Sequence, residues 1–212
     1  MCRFFYLHDP TLFTQWADQA MTGYRKECKK NILSAGLIEL NNHQGVIQQR
    51  SIPPVECLHT HFSLAPSTTQ LFYHIRIPFD RKSNSVVLQN THPFLLGGGR
   101  FVAMHNGLIH FRTPPPKNRT DSQHFFHLWL QYAQTLPLPQ AFDKAKQETL
   151  PSSSMNLLLY DTQEKKLYLH RSTVAHELVP PLWVSPAGVS NFRVPQGKTI
   201  PKGKLLILPA VP

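Results

Sequence analysis

The sequence predicts an α+β fold with layered sheets. Strand-like runs stand at both ends of the chain, and a well-capped amphipathic helix lies between them. Late prolines punctuate short strands and do not mark a linker. At 212 residues the chain can bury a real core, and we read residues 1–212 as one domain.

Each element has a local reason. Arg3-Phe4-Phe5-Tyr6-Leu7 is a strand-like run, and Asp9-Pro10-Thr11 reads as a turn and helix start. Phe13, Trp16, Ala17, Ala20 and Tyr24 then follow helical spacing. "ILSAGLIEL" and "GVIQQRSI" flank Asn41-Asn42-His43-Gln44, the pattern of a β-hairpin. "LFYHIRI" is a buried strand ended by Pro78. "NTHPF", the triple glycine of "LLGGGRF" and the strand "FVAMH" follow. "TPPPKNRT" is an exposed loop, because its three prolines cannot donate to a ladder. In "TDSQHFFHLWLQYAQ", Thr120 and Gln123 stand at capping-box spacing, and Phe125, Leu128, Trp129 and Tyr132 form an apolar stripe. A second helix is expected near "PQAFDKAKQE". Strands "MNLLLYD" and "KLYLHRS" flank a turn at Thr162 to Lys165, and "KLLILPA" comes last.

Composition narrows the function. No apolar span is long enough to cross a bilayer, and the N-terminus lacks the layout of a secretory signal, so a cytoplasmic protein is expected. Cys2, Cys28 and Cys57 form no CxxC pair, which argues against a disulfide scaffold or a cysteine zinc site. The 12 histidines show no HExxH arrangement; neither a metal nor a cofactor is expected. The 22 Lys and Arg outnumber the 12 Asp and Glu, for a formal charge of +10. Such a surface attracts nucleic acid, phosphorylated ligands or acidic partners. The basic residues are mostly dispersed, densest in "YRKECKK" and "QGKTIPKGK", and no nucleic-acid-binding signature is present. Nucleic acid is therefore not expected as the main partner, and no membrane partner is expected.

Four stretches stand out: "MCR" at the start, "HIR" (74–76), "HNG" (105–107) and "TDS" (120–122). Each has a bland reading alone. Cys2 is a small buried hydrophobe, and His74 with Arg76 shares one strand face. Asn106-Gly107 is a hairpin-turn signal, and Asp121 is a favourable charge in a helix's first turn. Together they suit amide hydrolysis by a thiol, which needs a base, an oxyanion hole and positioning groups. Removal of Met1 would leave Cys2 with an α-amine of pKa about 7.7–8.0, able to accept the thiol's proton. An Asn amide followed by a Gly N–H can aim two donors at a developing oxyanion. Arg76 has the charge to clamp an α-carboxylate, and Asp121 the charge to hold an ammonium.

With this set in view, the sequence resembles the class II (N-terminal nucleophile, Ntn-hydrolase) glutamine amidotransferases, and most of all the compact stand-alone members. The likeness rests on "HIRIPF…VVLQNTHPFLLGGGRFVAMHNGLI…RTDSQHFF"; the opening "MCR" is similar to the ergothioneine-pathway γ-glutamyl amide hydrolases. It covers roughly residues 1–8 and 71–130, with the remainder compatible by strand pattern. The resemblance implies a four-layer αββα sandwich. It implies Cys2 as nucleophile, Asn106 and Gly107 as oxyanion hole, Arg76 on the substrate carboxylate and Asp121 on its ammonium. The chain departs from the family pattern in three places. "LSAG" keeps only Gly36 of a DGxG-like segment, Ile77-Pro78-Phe79-Asp80 follows Arg76, and Gln123 replaces a glutamate.

Two versions of the enzyme reading stay open. Ammonia passes to a separate synthase subunit, or a γ-glutamyl amide is hydrolysed outright. The alternative reading is an amidotransferase-fold protein, catalytically altered, that serves as a basic binding or structural component.

Overall fold

The computed structural model describes residues 2–21, 34–41, 46–51, 62–76, 90–174 and 180–209. Strand β1 (Arg3–Leu7) ends in a short 3-10 turn, Pro10–Leu12, which leads into helix α1 (Phe13–Met21). Asp9 Oδ1 caps the turn by accepting from the Thr11 amide at 3.1 Å. Phe13, Trp16, Ala17 and Ala20 are buried, as their spacing requires; Tyr24 and the "YRKECKK" cluster lie outside the described residues. Strands β2 (Ser34–Asn41) and β3 (Val46–Ser51) pair antiparallel, with Leu40 opposite Val46. The expected turn between them, from Asn42 onward, lies outside the described residues, as do Ile77-Pro78-Phe79-Asp80.

Strands β4 (Thr68–Arg76), β5 (Phe94–Leu96) and β6 (Phe101–Leu108) follow, then helices α2 (Asp121–Tyr132) and α3 (Leu138–Gln147). The capping box on α2 is complete: Gln123 N–H donates to Thr120 Oγ1 at 3.2 Å, and Thr120 N–H to Gln123 Oε1 at 2.9 Å. The last third holds β7 (Ser154–Asp161), β8 (Lys166–His170), β9 (Trp183–Ser185), β10 (Gly188–Ser190), β11 (Lys198–Thr199) and β12 (Leu205–Pro209).

Among the described residues the strands form two antiparallel sheets, ordered β11-β9-β10-β1-β4-β2-β3 and β12-β8-β7-β6-β5. Alternation along each strand produces three apolar layers. One face of the first sheet buries Phe5, Leu37 and Tyr73 against Phe13 and Trp16 of α1. Its other face puts Phe4, Tyr6, Ile38 and Phe72 against Val102, Met104, Leu158 and Tyr160 of the second sheet. The far face of the second sheet packs Ala103, Leu157 and Leu159 on Phe125, Trp129 and Phe142 of α2 and α3. The result is the helix–sheet–sheet–helix sandwich that the resemblance implied. Each fully buried large apolar side chain contributes about 1.5–3 kcal/mol.

The hairpin reading of Asn106-Gly107 is corrected. Both residues lie inside β6, opposite Asn156 and Met155 of β7, and the chain leaves the sheet only after Leu108. The long apolar strand β7 offers β6 a partner over its whole length, which overrides the local turn preference of Asn-Gly.

The stretch from Asn90 to Pro93 lies against β2 and is pinned by hydrogen bonds at Asn90, Thr91 and Pro93. Arg76 Nη1 donates to the Asn90 carbonyl at 2.9 Å, and Thr91 Oγ1 to Ser34 Oγ at 2.8 Å. Gln48 Nε2 donates to the Pro93 carbonyl at 3.1 Å. Gly36 permits the contact, because a Cβ there would stand 2.1 Å from the His92 carbonyl oxygen. Gly36→Ala is therefore expected to lower stability by about 1–3 kcal/mol, read from denaturant unfolding. An unchanged midpoint would show that this packing is not tight.

Among the described residues four histidines are buried: His74, His92, His105 and His170. Loss of water pushes His74 down to about 3 and His170 down to about 4. The same burial holds His92 well below its usual value, and lowers His105 against the opposing pull of Asp121. In the unfolded chain all four titrate near about 6.5, so below that pH the unfolded state binds more protons. Their stabilisation is complete above about pH 6.5 and declines as pH falls, with a slope of up to about 1.4 kcal/mol per pH unit for each ring. The melting temperature should therefore be nearly level around pH 7.5 and fall as pH drops from about 6.5 to 5; a flat profile across that range would contradict neutral, buried rings.

Candidate active site

Strand register brings the singled-out residues to one end of the sandwich. In β1 and β4, Phe4 stands opposite His74 and Arg3 opposite Ile75. Continuing that register by one residue sets Cys2 opposite Arg76. Phe4, Tyr6 and Phe72 face the interior between the sheets, so alternation gives Cys2, His74 and Arg76 that same face. On the opposing sheet Val102 and Met104 face the interior, and Asn106 continues their row. A His74 Nε2–H bond to the His105 carbonyl at 3.1 Å joins these two strand ends.

Cys2 is a half-buried thiol at the edge of this interior. Asn106 is 2% exposed, and its Nδ2 has no hydrogen-bond acceptor among the described residues. A buried donor left so costs roughly 1–3 kcal/mol, a cost that an incoming oxygen would relieve. Gly107 follows at φ 144°, and a Cβ there would sit 1.9 Å from the Ser154 carbonyl oxygen. Only glycine fits, which keeps its backbone open to close approach.

Asp121 opens α2. Its Oδ2 accepts from the Ile109 amide at 2.9 Å and its Oδ1 from the Ser122 amide at 2.8 Å. The carboxylate thus joins the end of β6 to a helix N-terminus, where negative charge is favourable. Ser122 Oγ lies 2.8 Å from His105 Nδ1, so the side chains of "HNG" and "TDS" are coupled directly. Arg76 commits one of its five donors to Asn90.

Two contributions to this end of the molecule come from residues to which the sequence assigns no site role. Asn191, just beyond β10, bonds to the backbone of Cys2 and Phe4. His92 packs its ring between His74 and Phe94, with centroids 4.4 and 4.2 Å away. His92 was visible only as part of "NTHPF", and Asn191 gave no signal. Among the described residues no group of His, Cys, Asp and Glu could hold a metal ion, and no helix is long and apolar enough to cross a membrane.

No protein-family model and no curated protein matches the sequence. Solved structures do match the fold. One is the allosteric regulatory enzyme of purine biosynthesis, with TM-score 0.64 and 12% identity over 98% of this chain and 46% of that one. This chain thus spans about half the length of that enzyme. Another is a glutamine aminotransferase class-II domain protein from Silicibacter pomeroyi, with TM-score 0.56 and 16% identity over 99% and 95% of the two chains. A third is a predicted glutamine amidotransferase from Pseudomonas aeruginosa, with TM-score 0.52 and 19% identity over 82% and 83%. The chain has the fold of the class II glutamine amidotransferases.

Proposed function

We propose that this protein hydrolyses the side-chain amide of glutamine or of a γ-glutamyl amide, with Cys2 as nucleophile. The observation that carries the reading is the buried Asn106 Nδ2, without an acceptor among the described residues, beside Gly107 on the interior row that strand alternation aims toward Cys2 and Arg76. The fold shared with glutamine amidotransferases supports it. The cytoplasm, where thiols stay reduced, suits such a nucleophile.

The mechanism requires removal of Met1. The α-amine of Cys2 then takes the thiol proton, and the thiolate attacks the amide carbon. The carbonyl oxygen becomes an oxyanion, held by Asn106 Nδ2 and the Gly107 N–H. The amine returns its proton to the departing nitrogen, which leaves as ammonia or an amine. Water, deprotonated by the same amine, cleaves the remaining thioester and releases the acid. Arg76 holds the substrate α-carboxylate through donors beyond the one given to Asn90. Asp121, with lone pairs to spare after its backbone bonds, holds the α-ammonium.

Release of ammonia to a separate synthase and outright hydrolysis of a γ-glutamyl amide are two uses of this same site. The formal charge of +10 favours a second reading, a basic binding component on the same fold. That reading predicts strong, salt-sensitive retention on nucleic acid that is indifferent to Cys2.

Ammonia or amine release from glutamine and several γ-glutamyl amides tests the enzyme reading. Cys2→Ala should abolish it, while Cys28→Ala and Cys57→Ala leave it intact. Asn106→Ala should lower kcat by about 10²–10³, equivalent to about 2.7–4 kcal/mol of transition-state stabilisation. Turnover that survives Cys2→Ala would defeat the assignment.

A further inference from the structure

The start of β1 poses a mechanical problem. Chain ends fray unless they are tied down, and a nucleophile at such an end loses the geometry its reaction needs. On one side β1 is paired with β4 from Arg3 onward. On the other side its pairing with β10 begins only at Phe5, opposite Ser190. Residues 2–4 therefore lie beyond the last ladder pair on the β10 side.

Asn191 fills that gap. Its backbone N–H donates to the Phe4 carbonyl at 3.2 Å. Its Oδ1 accepts from the Phe4 N–H at 2.8 Å, and its Nδ2 donates to the Cys2 carbonyl at 3.1 Å. These two partners fix which end of the amide is oxygen and which is nitrogen, because an N–H needs an acceptor and a carbonyl needs a donor. The side chain thus takes the place of the next ladder residues and reaches the nucleophile's own carbonyl. The clamp is itself held: Arg3 Nη1 donates to the Asn191 carbonyl at 3.1 Å, and Ser190 Oγ to the Phe192 carbonyl at 2.6 Å. Asn191 is 0% exposed, so water does not compete for these bonds.

We infer that Asn191 is a positioning residue for the N-terminal nucleophile, fixing the Cys2 backbone so that its thiol and amine face the Asn106–Gly107 donors. The inference rests on the proposed role of Cys2. As a positioning residue Asn191 acts through the backbone of Cys2 and Phe4. Its loss should therefore reduce kcat and leave substrate binding by Arg76 and Asp121 untouched.

The test uses the full chain, with amide hydrogen exchange and steady-state kinetics on two variants. In Asn191→Ala the Phe4 amide should exchange at least tenfold faster while the β6–β7 amides keep their protection. Its kcat should fall at least tenfold, with KM within twofold. Asn191→Asp keeps an oxygen for the Phe4 amide and lacks the donor to Cys2. It should keep Phe4 protected and still lose at least tenfold in kcat. It also serves as the deciding variant if Asn191→Ala does not fold. Parental kcat in either folded variant, or unchanged Phe4 exchange in Asn191→Ala, overturns the inference. If the unaltered protein hydrolyses no amide, the proposed function fails, and Phe4 exchange in Asn191→Ala still decides the clamp.

Discussion

The bond from the His74 ring to the His105 carbonyl ties the two sheets together at the end where the chain begins. It sets the end of β4, which carries Arg76, beside the end of β6, which carries Asn106 and Gly107. Burial keeps the His74 ring neutral; its carbonyl partner makes Nε2 the donor, and the second nitrogen lies buried without a partner among the described residues. A protonated ring would bring charge into a dry interior shared with His92 and His105.

Such a polar end is costly, and the apolar layers offset the cost. Phe5 packs against Trp16, Tyr73 and Phe192 on the α1 side, and Phe125, Trp129 and Phe142 interlock under the second sheet. Aromatic pairs of this kind contribute about 0.5–1.5 kcal/mol each beyond the area they bury. At the second sheet's other end, Arg100 makes a bidentate contact with the buried Asp161 carboxylate, with a closest approach of 2.7 Å. Burial alone would raise the Asp161 pKa, but Arg100 and the Glu164 and Gln163 amides hold it below its usual value. That carboxylate also accepts from the turn joining β7 to β8. Asp161 at one end of the second sheet is thus satisfied internally, while Asn106 at the other keeps a donor without an acceptor among the described residues. The Arg100–Asp161 ion pair and the proposed site occupy opposite ends of the same strands.

Much of this was legible in the sequence, for local reasons. The β1 run, the capping box at Thr120 and the apolar stripe of α2 depend on neighbours within a few residues, and the structure contains them. The Asn-Gly pair misleads when read alone, because its turn preference yields to pairing with β7, some 50 residues away. Gly36 was visible as a remnant of a motif, but its reason is the His92 carbonyl pressed against it. Asn191 was illegible: its bonds span 187 and 189 residues, and "SNF" carries no pattern of its own. Residues that join strand ends across the chain have no periodicity to betray them.

We propose Cys2 as the nucleophile, with its own amine as base. That role is tested most directly by intact and peptide mass spectrometry after treatment with a glutamine-like diazoketone. The expected product is a chain lacking Met1 and carrying one adduct, on the Cys2 sulfur. A retained Met1, or an adduct on Cys28 or Cys57 in place of Cys2, would contradict it.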